Sequence, residues 1–194
     1  MNQEVEIELK NLVNKQEFEQ IMLHFGLTLA SFVEQTNYYF DTTDFRLKEL
    51  GCALRIRQKK NQYTFTLKQP HGEALLETHE LLNEQTAHKF ISGKLNEKSD
   101  MMNLLQHKLN IEPSSLRSLG SLTTCRAEIN YQSGLLVFDH SMYLHHEDFE
   151  IEFEVKDAAQ GKYEFEQFLQ KFNIPKRKTP NKIRRFFDVK KSLR

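Results

Sequence analysis

Glu4, Glu6 and Glu8 occupy every second position near the start of the chain, and Lys10 follows at the same spacing. Glu150, Glu152 and Glu154 repeat the pattern near the other end. Side chains two apart on an extended strand share a face, so each run projects a row of carboxylates. Like charges at neighbouring positions destabilise a sheet, which calls for something positive among them. Between the two runs, Arg55 pairs with Arg57, Thr64 and Thr66 with Lys68, and Arg126 with Glu128 and Asn130, each set on one strand face. Clustered glutamate oxygens suit a hard divalent cation such as Mg²⁺, which completes its shell with water and substrate phosphate. Guanidinium forks match phosphate oxygens two at a time. A bare polyanion would be repelled by the glutamates and a bare cation by the arginines, whereas a metal–polyphosphate complex satisfies both. The chemistry expected is phosphoryl transfer to water, where the protein positions the phosphates and neutralises developing charge.

These residues need strands to align them. Period-two runs cover Glu4–Lys10, Tyr38–Thr42, Ala53–Arg57, Tyr63–Lys68, Leu75–Leu81, Cys125–Tyr131, Leu135–Asp139 and Phe149–Val155, eight candidate strands in all. Lys59 to Gln62 and Gln132 to Gly134 read as short hairpin turns. A polar face on one antiparallel strand is usually only its solvated side. Two registers of three glutamates and the paired arginines go beyond that pattern. A sheet of about eight strands can close around roughly one small ligand, with its charged faces inward. The apolar faces then need cover, and amphipathic helices are predicted to supply it. In Lys15–Phe25, Phe18, Ile21, Met22 and Phe25 share a face, with Gly26 as the stop. A long helical excursion is predicted between Thr86 and Leu119, and a last helix over Asp157–Phe172, whose first turn Gly161 weakens. The fold class expected is α+β: an eight-stranded antiparallel closed barrel with a charged interior and a helical coat.

The length of 194 residues suits one domain, 1–194. Lysine plus arginine and aspartate plus glutamate both number 27, so no net charge draws the chain to nucleic acid or an anionic surface. Cys52 and Cys125 fit neither a disulfide framework nor a metal knuckle, and suit a reducing cytoplasm. No basic leader opens the sequence and no apolar run approaches a membrane span, so a cytoplasmic protein without a membrane partner is expected.

Several motifs resemble those of a known family. Glu6-Ile7-Glu8-Leu9-Lys10 is similar to the E-x-E-x-K signature of the CYTH domain, or triphosphate tunnel metalloenzymes. Tyr39 to Thr42, Leu47, Gly51, Leu54-Arg55-Ile56-Arg57 and Thr66-Leu67-Lys68 follow in that family's order. Glu150-Ile151-Glu152 with Glu154, and Asn181-Lys182 before Arg184-Arg185, resemble its late acidic strand and basic C-terminal element. The resemblance implies a Mg²⁺- or Mn²⁺-dependent triphosphatase acting on inorganic triphosphate or a nucleoside or thiamine triphosphate. It implies metal carboxylates at Glu6, Glu8, Glu152 and Glu154, with Glu4 and Glu150 close by. It implies phosphate contacts at Lys10, Arg55, Arg57, Lys68, Arg126, Lys182 and Arg185, with Glu6, Glu8 and Lys10 at the centre of catalysis. Glu77, Glu128 and Asp139 would line the tunnel as secondary contacts. His79 stands at a period-two position from Glu77 and joins them by that spacing.

Residues 176–194 hold nine lysines or arginines and one acid, Asp188. The resemblance draws Lys182 into the site and leaves a basic tail of about 186–194, with Lys190, Lys191 and Arg194 in solvent. His140, His145 and His146 lack the spacing of a metal set. Two rivals stay open at this point. A class IV-type adenylate cyclase would use the 3′-hydroxyl of ATP in place of water, and a non-catalytic polyphosphate or nucleotide sensor would keep the grip without the chemistry. Nucleic acid is not the expected partner, and the sequence leaves the oligomeric state open.

Overall fold

Residues 1–95 and 97–193 are described in the computed structural model of this chain. Alternation becomes eight strands: β1 (Asn2–Val13), β2 (Val33–Thr42), β3 (Ala53–Lys59), β4 (Gln62–His71), β5 (Ala74–Leu82), β6 (Leu116–Tyr131), β7 (Gly134–Tyr143) and β8 (His146–Val155). They form a closed antiparallel barrel in the order β1-β5-β4-β3-β2-β6-β7-β8, the fold expected from the two-faced strands. Six helices accompany them: α1 (Lys15–His24), α2 (Arg46–Glu49), α3 (Glu84–Ile91), α4 (Asp100–Leu109), α5 (Ala158–Lys171) and α6 (Lys182–Ser192). No helix among the described residues is long and apolar enough to cross a membrane.

By contacts the chain falls into two compact units, residues 1–5 with 35–122 and residues 6–34 with 123 onward. In the first, the apolar faces of β3 and β4 (Leu54, Ile56, Phe65, Leu67) bury against Phe90 of α3 and Met101 of α4. In the second, Phe138, Ile151 and Phe153 bury against Phe18 and Ile21 of α1 and Phe168 of α5. Each fully buried side chain of this kind contributes about 1.5–3 kcal/mol relative to exposure. Helices cover the apolar faces, so within each unit the charged side chains occupy the opposite face of the sheet.

Local chemistry sets the element ends. Asn14 and Glu17 form a reciprocal capping box at the start of α1, with both bonds at 2.8 Å. Asp157 caps α5 through the Gln160 amide at 2.9 Å. Gly161 lowers helix propensity but permits close packing, since a Cβ there would lie 2.5 Å from Val155 Cγ2. The two predicted hairpins form, with Lys59 opposite Gln62 and Tyr131 opposite Gly134.

Three expectations are corrected. The excursion predicted between Thr86 and Leu119 is two helices, and β6 already starts at Leu116; Asn96 lies outside the described residues. The strand's early half is rich in small and polar residues and carries Gly120, which conceals its alternation. The basic C-terminal stretch is no tail, because Lys182–Ser192 forms α6, with Arg185 and Phe186 buried. Phe186 lies against Tyr143 with ring centroids 6.1 Å apart, and Lys190 Nζ stands 5.7 Å over the Phe186 ring. Charge density hid an apolar stripe. Arg194 lies outside the described residues.

Candidate active site

In the second unit β1, β6, β7, β8 and α6 assemble a charge cluster. Pairing of β1 with β8 sets Glu8 opposite Glu154, Lys10 opposite Glu152 and Leu12 opposite Glu150. Pairing of β7 with its neighbours sets Asp139 opposite both Arg126 and Glu150. From α6, Lys182 and Arg185 lie three residues apart, which puts both on one helix face.

The contacts are dense. The Arg126 guanidinium grips Asp139 through two bonds of 2.8 and 2.6 Å, and donates to Glu152 at 2.7 Å. Lys182 Nζ stands 2.8 Å from Asp139, 3.0 Å from Glu150 and in direct contact with Glu152. Lys10 Nζ donates to Glu8 at 2.8 Å. Arg185 donates to Glu150 at 2.6 Å, to Asp148 at 2.9 Å and to the Pro180 carbonyl at 2.6 Å. Tyr143 hydroxyl donates to Asp148 at 2.6 Å. Arg185 thus directs its donors to protein acceptors around Glu150.

Burial makes these charges interdependent. Burial opposes ionisation of Glu152, but Lys182, Arg126 and Lys10 outweigh it and hold the carboxyl well below the usual range. Asp139 is likewise lowered against its burial, by Arg126 and Lys182. Glu150 goes the other way, because burial and the Glu152 charge raise it. Glu154 is pushed up to about 7 by burial and by its carboxylate neighbours Glu6, Glu152 and Glu8, with Arg126 working against them. Lys182 and Lys10 are raised despite burial by the carboxylates around them.

The cluster has an acceptor to spare. One oxygen each from Glu8, Glu150 and Glu152 lie within 4.8 Å of one another, close enough to share an ion. Glu150 is fully buried and its Oε1 has no hydrogen-bond partner. A buried unpaired carboxylate oxygen is costly. An all-oxygen set with such an atom fits a hard divalent cation.

The first unit holds the other predicted residues. Pairing places Arg57 opposite Asn37 and Thr64, Arg55 opposite Tyr39 and Thr66, and Lys68 opposite Glu77. Arg57 Nε donates to Asn37 Oδ1 at 3.0 Å, and Lys68 is ion-paired with Glu77. His79 bonds Thr66 Oγ1 at 2.9 Å and Glu4 at 3.0 Å, so Glu4 sits with Glu77 and His79. Gln35 Oε1, Asn37 Nδ2 and Arg55 Nε are buried and without hydrogen-bond partners. Glu128 shares its strand face with Arg126 but is exposed, with no ion pair among the described residues.

Asp148, Tyr143 and the β2 amides Gln35 and Asn37 escaped the sequence reading. Asp148 is two positions from Glu150 and extends the acidic run, a signal that was available. Gln35 and Asn37 precede Tyr38, where the alternation that predicts β2 begins, whereas the strand itself starts at Val33.

The sequence pattern of the CYTH domain family matches residues 4–187. A curated relative, "Putative triphosphatase YjbK" of Bacillus subtilis (strain 168), is 46% identical over 191 residues, 98% of each chain. A crystal structure described as a "putative adenylate cyclase" from Bacillus halodurans is 43% identical, with a TM-score of 0.91 over 96% of this chain and 100% of that one. A structure from Hippeastrum, described as a "putative adenylyl cyclase" with a dominant triphosphatase activity, shares the fold at 22% identity. Its TM-score is 0.77, over 95% of each chain.

Proposed function

This chain belongs to the CYTH domain family, and from that premise we propose that it is a metal-dependent triphosphatase acting on a small triphosphate compound. Candidate substrates are inorganic triphosphate and a nucleoside or thiamine triphosphate. The observation that carries the reading is the Glu8–Glu150–Glu152 set, with Glu150 and Glu152 buried and one Glu150 oxygen unpartnered, among Lys10, Arg126 and Lys182. The relative named for a triphosphatase, at 46% identity, supports it.

In this proposal Glu8, Glu150 and Glu152 hold Mg²⁺ or Mn²⁺, with Glu6 and Glu154 beside them and Glu4 in the other acidic group. When bound, the cation supplies Lewis-acid neutralisation of phosphate charge and a more acidic water. The remaining work belongs to side chains. Lys10, Arg126 and Lys182 contact phosphoryl oxygens; Arg55, Arg57 and Lys68, on the first unit, offer the same chemistry to a phosphate. Asp139 orients Arg126 through its two-bond grip. Arg185 orients Glu150, held in turn by Asp148. Glu77, His79 and Glu128 are secondary contacts. Such positioned donors act on charge developing at the phosphoryl group without having to reorganise. The protein is proposed to work in the cytoplasm, as a single domain.

Phosphate release from inorganic triphosphate and from ATP, with Mg²⁺ and with Mn²⁺, tests the reading when wild type is run beside Glu8→Gln. Metal-dependent release lost in the variant is expected; release insensitive to chelator and to the variant would overturn it. The description of the Bacillus halodurans relative at 43% identity favours one second reading, in which the ATP 3′-hydroxyl attacks in place of water. Cyclic AMP among the products of ATP would establish that reading.

A further inference from the structure

Between α5 and α6 the chain from Ile174 to Asn181 has no regular secondary structure, yet side chains tie it down at several points. Asn11 of β1 is 1% exposed and spends both ends of its amide on this segment, accepting from Arg177 N at 2.7 Å and donating to the Pro175 carbonyl at 3.1 Å. The next residue on β1, Leu12, donates its N–H to Thr179 Oγ1 at 2.8 Å. Arg177 closes the set: its guanidinium bonds both Glu17 oxygens, at 2.7 and 2.8 Å, and the Leu12 carbonyl at 3.0 Å. Glu17 is itself locked into the α1 capping box.

The place of attachment matters more than its strength. Asn11 and Leu12 follow Lys10 on β1 and lie opposite Ile151 and Glu150 of β8. The strap is therefore pinned one rung from the Lys10–Glu152 pair. It ends at Asn181, and the next residue is Lys182, whose ammonium sits among Asp139, Glu150 and Glu152. A lysine side chain has several rotatable bonds, and holding it in one place loses rotamer freedom. A flexible approach segment would add its own disorder to that loss.

We propose that Arg177, with Asn11, is a positioning residue that acts through Lys182. The bidentate link to Glu17 and the Asn11 amide fix where the strap leaves β1, and thereby deliver the Lys182 ammonium to the carboxylates. The claim rests on the functional reading only where it concerns turnover; the placement of Lys182 is a property of the protein without substrate.

Two measurements separate those parts. The first is labelling of lysines with an amine-reactive reagent in chelator, read by peptide mass spectrometry, on wild type, Arg177→Met and Asn11→Ala. Lys182 labelling is expected to rise about tenfold in either variant, with Lys10 unchanged. Lys182 protection equal to wild type in both variants overturns the positioning claim whatever the activity does. The second is kcat/KM for inorganic triphosphate across Arg177→Met, Lys182→Met and the double variant, with thermal unfolding alongside. Residues that act through one another are non-additive, so Arg177→Met is expected to lower kcat/KM about tenfold alone and to have no further effect in the Lys182→Met background. Its effect on Tm should persist in both backgrounds, because Glu17 loses its bonds to Arg177 either way. Equal factors in both backgrounds would make Arg177 a general structural residue and overturn the proposal. Absence of turnover in wild type would defeat the triphosphatase reading and leave the labelling result standing.

Discussion

The two units leave different charged atoms unpartnered on their sheets. In the second unit, acids outnumber cations around Glu150: each lysine or arginine touches at least one carboxylate, and the atom left over is an acceptor, Glu150 Oε1. In the first unit, the buried side-chain atoms without hydrogen-bond partners on β2 and β3 are two donors, Asn37 Nδ2 and Arg55 Nε, and one amide acceptor, Gln35 Oε1. A spare carboxylate oxygen calls for a cation, and a spare guanidinium N–H calls for an anion. Neither preference could be read from net charge, which is zero for the whole chain.

Substitutions should break this contrast unevenly. The largest effect is expected for Glu152→Gln, which removes a carboxylate that Lys182, Arg126 and Lys10 all stabilise. Metal-dependent phosphate release should fall about a thousandfold, the scale of losing one preorganised electrostatic group. Steady-state kinetics at saturating Mg²⁺ checks this, and a loss under tenfold would remove Glu152 from the cation set.

Next comes Lys182→Met, which leaves Asp139, Glu150 and Glu152 with fewer counter-charges. Breaking a buried pair by removing one partner costs about 3–5 kcal/mol. Metal-free protein should lose on the order of 3 kcal/mol by chemical denaturation, and saturating Mg²⁺ should restore much of it. Failure of Mg²⁺ to restore stability would argue that lysine and cation do not answer the same charge.

A smaller effect is expected at Glu154, whose carboxyl sits at about 7 against an ordinary 4.5. A group that holds its proton more tightly when folded stabilises the fold at low pH, and that contribution fades as pH rises from about 4.5 through 7. Glu154→Gln removes the titration. Between pH 5 and pH 8.5 in chelator the variant should gain on the order of 2 kcal/mol over wild type, after allowance for partial exposure. A wild-type-minus-variant difference independent of pH would contradict this. The smallest effect is expected in the first unit, where Arg55→Met should weaken triphosphate binding about tenfold, the scale of one charge-assisted hydrogen bond. The same variant should leave metal binding untouched, which titration with Mn²⁺ alone would check.

Much of the strand framework was legible because alternation of apolar and charged residues is a local signal. Glu8, Lys10, Glu150, Glu152 and Arg126 were readable for the same reason, since a period of two fixes which side chains share a face. Hidden features depended on other physics. Helix α6 was masked by its own lysines and arginines, although Lys182, Arg185, Phe186 and Val189 fall at helical spacing, with Arg185 and Phe186 buried. Gly161 looked like a weakness in α5 until Val155 proved to be its neighbour. Asn11 and Arg177 are 166 residues apart, and no spacing rule connects an amide on β1 to the backbone of a distant strap.

The Glu8–Glu150–Glu152 set is the proposed seat of a divalent cation. Mn²⁺ binding followed by electron paramagnetic resonance, on wild type, Glu150→Gln and Arg55→Met without substrate, tests it most directly. Wild type and Arg55→Met should bind Mn²⁺, and Glu150→Gln should lose about tenfold or more in affinity, the scale seen when a metal's supporting groups are removed. Binding by Glu150→Gln as tight as by wild type would contradict it.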